Sequence, residues 1–167
     1  MCLLLGWADT ALLKVVGMTI LRRADQEESS PMEGGKLLTM AGAATGAAMA
    51  TVGDLTVQPN VRSGYHLHPN TEEAIFVVEG EMEFRVGTAR FKASAGDCVL
   101  APAGIGHGLE NVGDSPARLI TIYPTAEPER EALQDVEYTD GDAPSTVYVF
   151  SNNEPYEFMA GVSRRDM

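Results

Sequence analysis

An all-β sandwich or barrel is the fold that this 167-residue sequence predicts, on three observations. Between Met49 and Tyr123 short apolar runs are separated by Gly, Pro, Asn and Asp at intervals of about 8–12 residues, the rhythm of many short strands. Within Glu81–Val86 the alternation is strict, with Met82, Phe84 and Val86 on one face and Glu81, Glu83 and Arg85 on the other, so that one face is core and the other water. The connections Glu79-Gly80 and Val86-Gly87-Thr88 are short enough for hairpins, which makes the strands antiparallel.

Residues 1–47 read as an N-terminal extension and linker. Met1–Leu21 carries only Asp9 and Lys14 as charges, but it lacks the basic start and small-residue cleavage site of an export signal. Gly6, Asp9, Lys14 and Gly17 interrupt the run of roughly 20 apolar residues that a membrane span needs. What remains is a short amphipathic helix, capped by Asp9 or Thr10, buried through Leu12, Leu13, Val15 and Val16 and stopped at Gly17. Trp7 is then expected to dock rather than stay wet. Translation from Met18 or Met32 would make the first residues an addition. Gln26–Pro31 reads as a solvated linker continued by Gly34-Gly35, and the uncharged, Ala- and Gly-rich stretch Thr39–Ala50 fits neither period.

Residues 48–124 form the barrel, with strands expected at Thr51–Val57, Tyr65–His68, Glu73–Val78, Glu81–Val86, Ala89–Ala93, Cys98–Ala101 and Ala117–Tyr123. Residues 125–167 are an acidic C-terminal extension with 10 acidic against 3 basic residues. Thr125 caps an expected helix running to about Gln134, with Pro128 in its first turn and Glu127, Glu129 and Glu131 near its positive end. Ser145–Phe150, rich in Val and aromatics, reads as an added strand that covers a sheet edge, lies over the barrel mouth or pairs with a second subunit. A homodimer is expected, because an exposed edge and apolar tails both need covering.

The charge balance narrows the partners. With 24 acidic and 12 basic residues, a net charge of −12, no basic surface is available to neutralise phosphates, which argues against nucleic acid. Cys2 and Cys98, the only cysteines, make neither a disulfide scaffold nor a zinc ribbon and fit a reducing, cytoplasmic setting.

All three histidines fall between His66 and His107. In His66-Leu67-His68 on a strand, residues i and i+2 project two imidazoles to one side, close enough to share a metal ion. A hairpin through Pro69–Glu72 brings the Glu73 carboxylate back beside them, and His107 follows the stiff loop Pro102–Gly106 as a fourth ligand. Three imidazoles and one carboxylate suit one borderline divalent ion, Fe, Mn, Ni or Zn, and leave positions open for substrate.

Residues 60–80 and 96–111 resemble the two sequence motifs of the cupin family. The first reads His66-Leu67-His68, Glu73 and Gly80, and the second reads Gly96, Pro102-Ala103-Gly104, His107 and Asn111, in the family's spacing. The one departure is Asn60, where the family usually has glycine; asparagine also tolerates a positive φ. The resemblance implies a double-stranded β-helix or jelly roll with a metal held by His66, His68, Glu73 and His107. It spans dioxygenases, decarboxylases, isomerases and epimerases, polyketide cyclases and non-catalytic binders, so the fold names no reaction.

An open-shell metal that binds substrate and O₂ together makes an oxidoreductase of dioxygenase type the first expectation for a small-molecule substrate. The alternatives are non-oxidative Lewis-acid chemistry, as in an isomerase, decarboxylase or cyclase, and a non-enzymatic small-molecule binder. No further histidine exists as a base, which leaves Glu73 or a tyrosine such as Tyr65 or Tyr123 to move protons. If the strand extends back through Gly64, Arg62 shares the face of His66 and His68 and could hold a substrate carboxylate; otherwise it is a solvated loop arginine. Arg62 and Tyr123 are therefore the candidate substrate-binding residues. Asn111 is expected to fix its loop through backbone hydrogen bonds, and Cys98 to be a small core residue or a pocket thiol.

Overall fold

The computed structural model describes residues 20–141 and the strand residues Glu157–Met159 and Val162–Ser163. The expected N-terminal helix, Trp7 and the strand at Ser145–Phe150 lie outside the described residues. In chain order the strands are β1 (Glu28–Ser29), β2 (Gly35–Ala41), β3 (Thr51–Val57), β4 (His66–Leu67), β5 (Glu73–Glu79), β6 (Glu81–Val86), β7 (Ala89–Ser94) and β8 (Cys98–Ala101). They continue with β9 (His107–Asn111), β10 (Ala117–Tyr123), β11 (Glu131–Ala132), β12 (Thr139–Asp140) and a small hairpin of β13 (Glu157–Met159) and β14 (Val162–Ser163).

From β3 to β10 the chain passes back and forth between two six-stranded sheets, ordered β1-β2-β3-β10-β5-β8 and β11-β4-β9-β6-β7-β12, which is the jelly-roll arrangement. Period-two alternation sends one face of each sheet inward. Leu119 stands opposite Leu55 and Val77 in the first sheet, and Phe84 stands opposite Leu109 and Phe91 in the second. These side chains, with Val57, Ile75 and Met82, make one buried cluster between the sheets. Hairpin closure between β5 and β6 needs Gly80, whose φ is 98° and where a Cβ would lie 2.7 Å from the Ala117 Cβ. Asn60 adopts a φ of 60°, the left-handed conformation that its short polar side chain tolerates.

Several expectations need correction. The stretch read as a linker carries β1 and runs into β2, which pairs along β3, so the first sheet reaches back across residue 47. Cys98 is exposed and is neither core nor pocket, because Val99 and Ala101 take the inward positions of β8. Arg85 sits on the face of β6 read as solvated, yet it is 1% exposed. Its guanidinium donates to the Ser63 carbonyl (2.7 Å) and to Asp135 (2.9 Å) and lies over the rings of Tyr65 and Tyr138. Gly108, opposite it on β9, leaves the space: a Cβ there would lie 2.4 Å from Arg85 Nη2.

What buries Arg85 is the segment after β10, and that segment is not the expected helix. Thr125 Oγ1 does accept the Glu127 N–H (3.4 Å), as a cap would, but the chain continues extended. Its backbone groups are taken by the barrel: Ala43 N–H donates to Ala126 O, Leu133 N–H to Tyr65 O, and β11 pairs with β4. A ten-residue helix with no apolar period has little stability of its own, so partners on the barrel decide the path. Among the described residues no helix is long and apolar enough to cross a membrane.

Candidate metal centre

β4, β5 and β9 place four side chains at one end of the space between the sheets. His66 is opposite His107 in the β4–β9 pair, His68 follows two residues on, and Glu73 opens β5 across the gap. One donor atom from each of His66, His68, Glu73 and His107 falls within 4.8 Å of the others. His68, Glu73 and His107 are 3–4% exposed.

Each imidazole is oriented by a backbone carbonyl. Nδ1 of His66 donates to Gly64 O (3.0 Å), that of His68 to Glu129 O (2.5 Å) and that of His107 to Ile105 O (3.0 Å). With the proton fixed at Nδ1, each neutral ring turns its Nε2 lone pair toward the centre, the tautomer that metal binding requires. His107 Nε2 lies 2.8 Å and His68 Nε2 3.3 Å from Glu73 Oε2, and the buried His68 Nε2 has no hydrogen-bond partner. Lone pairs converging on a carboxylate repel unless a positive charge lies among them. A divalent cation satisfies all four donors at once, so the residues fit a metal.

Electrostatics at three of the four groups are set by burial and by their contacts with one another. Burial holds His66 neutral, down to about 4. For His68, burial acts downward but is outweighed by the Glu73 carboxylate and the Glu129 carbonyl, which raise it. Burial alone would raise Glu73, yet the adjoining rings of His107 and His68 and the hydrogen bond from Tyr123 bring it down to about 2.

The centre opens into a cavity of about 410 Å³ whose walls include Met32, Leu37, Leu55, Ile75, Leu109 and Pro128. Tyr123 lines it and donates to Glu73 Oε1 at 2.6 Å; burial first, then the Glu73 charge, raises the phenol above its ordinary range. The structure thus brings Tyr123 to the quartet but not Arg62. β4 begins only at His66, so the strand register does not reach back, and Arg62 makes an isolated bridge with Glu110 and pairs with Asp135 (2.5 Å) away from the cavity. Tyr65 also faces elsewhere, donating to Gly87 O (2.7 Å). The guanidinium that lines the cavity is Arg130. No local pattern marks it, since its place depends on β11 pairing with a strand more than 60 residues earlier. Asn111 holds its loop as expected, donating to Val57 O and Ser115 O and accepting from Gly113 N–H.

Similarity to known proteins agrees with this geometry. The chain is 33% identical over 102 residues to polyketide synthase CurC of Streptomyces cyaneus, covering 59% of this chain and 66% of that one. It is 33% identical over 103 residues to protein SchB of Streptomyces halstedii, covering 61% and 75%. The structure of oxalate decarboxylase from Bacillus subtilis superposes with a TM-score of 0.60 at 28% identity, over 67% of this chain and 31% of that one. The chain therefore spans about two thirds of CurC and under a third of the decarboxylase. Residues 53–123, which hold most of β3, all of β4 to β10 and the whole quartet, match the family described as Cupin domain, and the chain belongs to the cupin family.

Proposed function

We propose that this protein is a metal-dependent enzyme that acts without oxidation on a small, largely apolar molecule through a carbonyl group. The observation that carries the reading is the convergence of three tautomer-locked imidazoles and one carboxylate at the polar end of an otherwise mostly apolar cavity. A divalent ion held by His66, His68, Glu73 and His107 would supply a Lewis acid there, able to polarise a carbonyl. The chain's own groups do the rest. Leu37, Leu55, Ile75 and Leu109 exclude water and orient the apolar body of the substrate, while Tyr123 keeps a proton at Oη and steadies Glu73. Similarity to a polyketide synthase protein and to oxalate decarboxylase supports the non-oxidative form.

The dioxygenase expectation is the second reading, favoured by one feature: four protein donors leave positions free on a six-coordinate ion for substrate and O₂ together. To separate the two, the purified chain is offered Fe(II), Mn(II), Ni(II) and Zn(II) in turn, desalted and analysed for metal. Each loaded form is then given aromatic acids and phenols in an oxygen electrode. About one retained ion per chain, lost in His66→Ala, His68→Ala and His107→Ala, with product but no oxygen uptake, supports the proposal. Substrate-dependent oxygen uptake replaces it with the second reading, and failure to retain any ion removes both. The homodimer belongs to the same proposal, supported by Phe76, Leu100 and Ile122 exposed together on the outer face of the first sheet, and sedimentation of the chain tests it.

A further inference from the structure

Arg130 reaches the cavity through strand register. In the antiparallel β11–β4 pair Glu131 is opposite Leu67 and Ala132 is opposite His66. Carried one step past the end of that ladder, the same register sets Arg130 against His68, and opposite residues of an antiparallel pair share a face. That face is the cavity: Arg130 lines it together with His66, His68, Glu73, His107 and Tyr123. The backbone on either side is held. Asn70 donates to Glu127 O and accepts from Glu129 N–H (both 3.0 Å), His68 Nδ1 donates to Glu129 O, and Leu133 N–H donates to Tyr65 O.

Among the described residues the charge of Arg130 has no counterpart. Glu73 is the only carboxylate among the described residues that line the cavity, and its oxygens face Tyr123 and the imidazoles. Among the described residues Arg130 makes no ion pair. Glu129 and Glu131 are its chain neighbours, but successive side chains of an extended segment point to opposite faces. A guanidinium cannot shed its proton, so a fixed cation faces a largely apolar cavity.

We propose that Arg130 binds the carboxylate of the substrate, which places that substrate among largely apolar, aromatic-sized carboxylic acids; this deepens the metal-enzyme reading and rests on it for the second end of the molecule. A planar fork matches a carboxylate through two parallel hydrogen bonds. With no lysine or second arginine among the described residues that line the cavity, a singly charged planar anion suits it better than a phosphate. The apolar walls take the hydrocarbon body, whose other polar end faces the quartet.

The test is a binding titration that needs no turnover. 2-Naphthoate and its neutral isostere 2-naphthamide are titrated, by naphthyl fluorescence, into the metal-loaded and the chelator-treated protein. Wild-type protein should prefer the acid about tenfold or more in both forms. Arg130→Gln should abolish the preference with metal content and melting temperature unchanged, since the residue is exposed, and Arg130→Lys should keep part of it. An undiminished preference in Arg130→Gln overturns the proposal. A preference that disappears on metal removal alone also overturns it, placing the carboxylate on the ion and leaving the metal site intact. Absence of naphthoate binding to every form overturns it as well. A chain that retains no metal yet shows an Arg130-dependent preference upholds Arg130 while removing the metal reading.

Discussion

Replacing Tyr123 by Phe removes one oxygen from the metal centre and leaves the ring in place, so no cavity complicates the result. The lost contact is a 2.6 Å hydrogen bond to Glu73 Oε1, a carboxylate that is 4% exposed and cannot turn to water instead. A hydrogen bond to a charged group contributes about 1.5–3 kcal/mol, and the orphaned acceptor keeps the full loss. In a chain of this size about 2 kcal/mol lowers Tm by roughly 4–8 °C. The pH dependence should move too. Glu73 is held down to about 2 partly by Tyr123, and a depressed carboxylate contributes stability above its unfolded pKa that is lost as pH falls through its folded one. Without the phenol the folded pKa rises, so the acid loss, which still begins at the unfolded pKa, is smaller and is complete at higher pH. Because Tyr123 also fixes the direction of Glu73, the variant should bind metal about 10–100-fold more weakly. Thermal melts in chelator measure the first effect, and competition against a chromophoric chelator measures the second. A variant that melts within about 1 °C of wild type and binds metal within about threefold would refute the role assigned to this hydrogen bond.

Asn111→Ala removes three hydrogen bonds from a side chain with no exposure; the expected cost is about 3 kcal/mol, read from urea unfolding in chelator. Gly108→Ala should cost about 1–3 kcal/mol, because the new methyl meets the fully buried Arg85; displaced from Asp135, the segment after β10 should then become sensitive to limited proteolysis. In the metal-free protein His66, pushed down to about 4 by burial, contributes stability above its unfolded pKa near 6.5 that is lost as pH falls from there through 4. His68, raised, contributes the opposite way, being most stabilising in acid and losing that contribution as pH climbs. Urea midpoints across this window should therefore fall less steeply in His66→Gln than in wild type.

Strands whose one face is core were legible residue by residue: Thr51–Val57, Glu81–Val86, Cys98–Ala101 and Ala117–Tyr123 run between the expected ends. Period-two alternation is a local property that survives whatever the strand pairs with. The grouping of His66, His68 and Glu73 was legible for the same reason, two of them sharing a strand face and the third opening the next strand five residues on, whereas His107, 34 residues after Glu73, was marked by motif spacing and not by any local period. β2 was hidden because both its faces are covered, Leu37 inward and Leu38 (5% exposed) on the opposite side, which erases the alternation. Thr125–Gln134 shows genuine helix-start signals, yet its path was decided by the Asn70 side-chain amide, the His68 imidazole and the Tyr65 carbonyl, more than 50 residues earlier. The same pairing chose which guanidinium reaches the cavity. Arg62, near the histidines in sequence, is turned outward to Asp135, while Arg130, far from them, is carried in by β11. Sequence by itself determined which side chains share a face of their own strand. Only the tertiary structure decided which strands lie side by side, because register between distant segments depends on the sum of many pairings rather than on any local pattern.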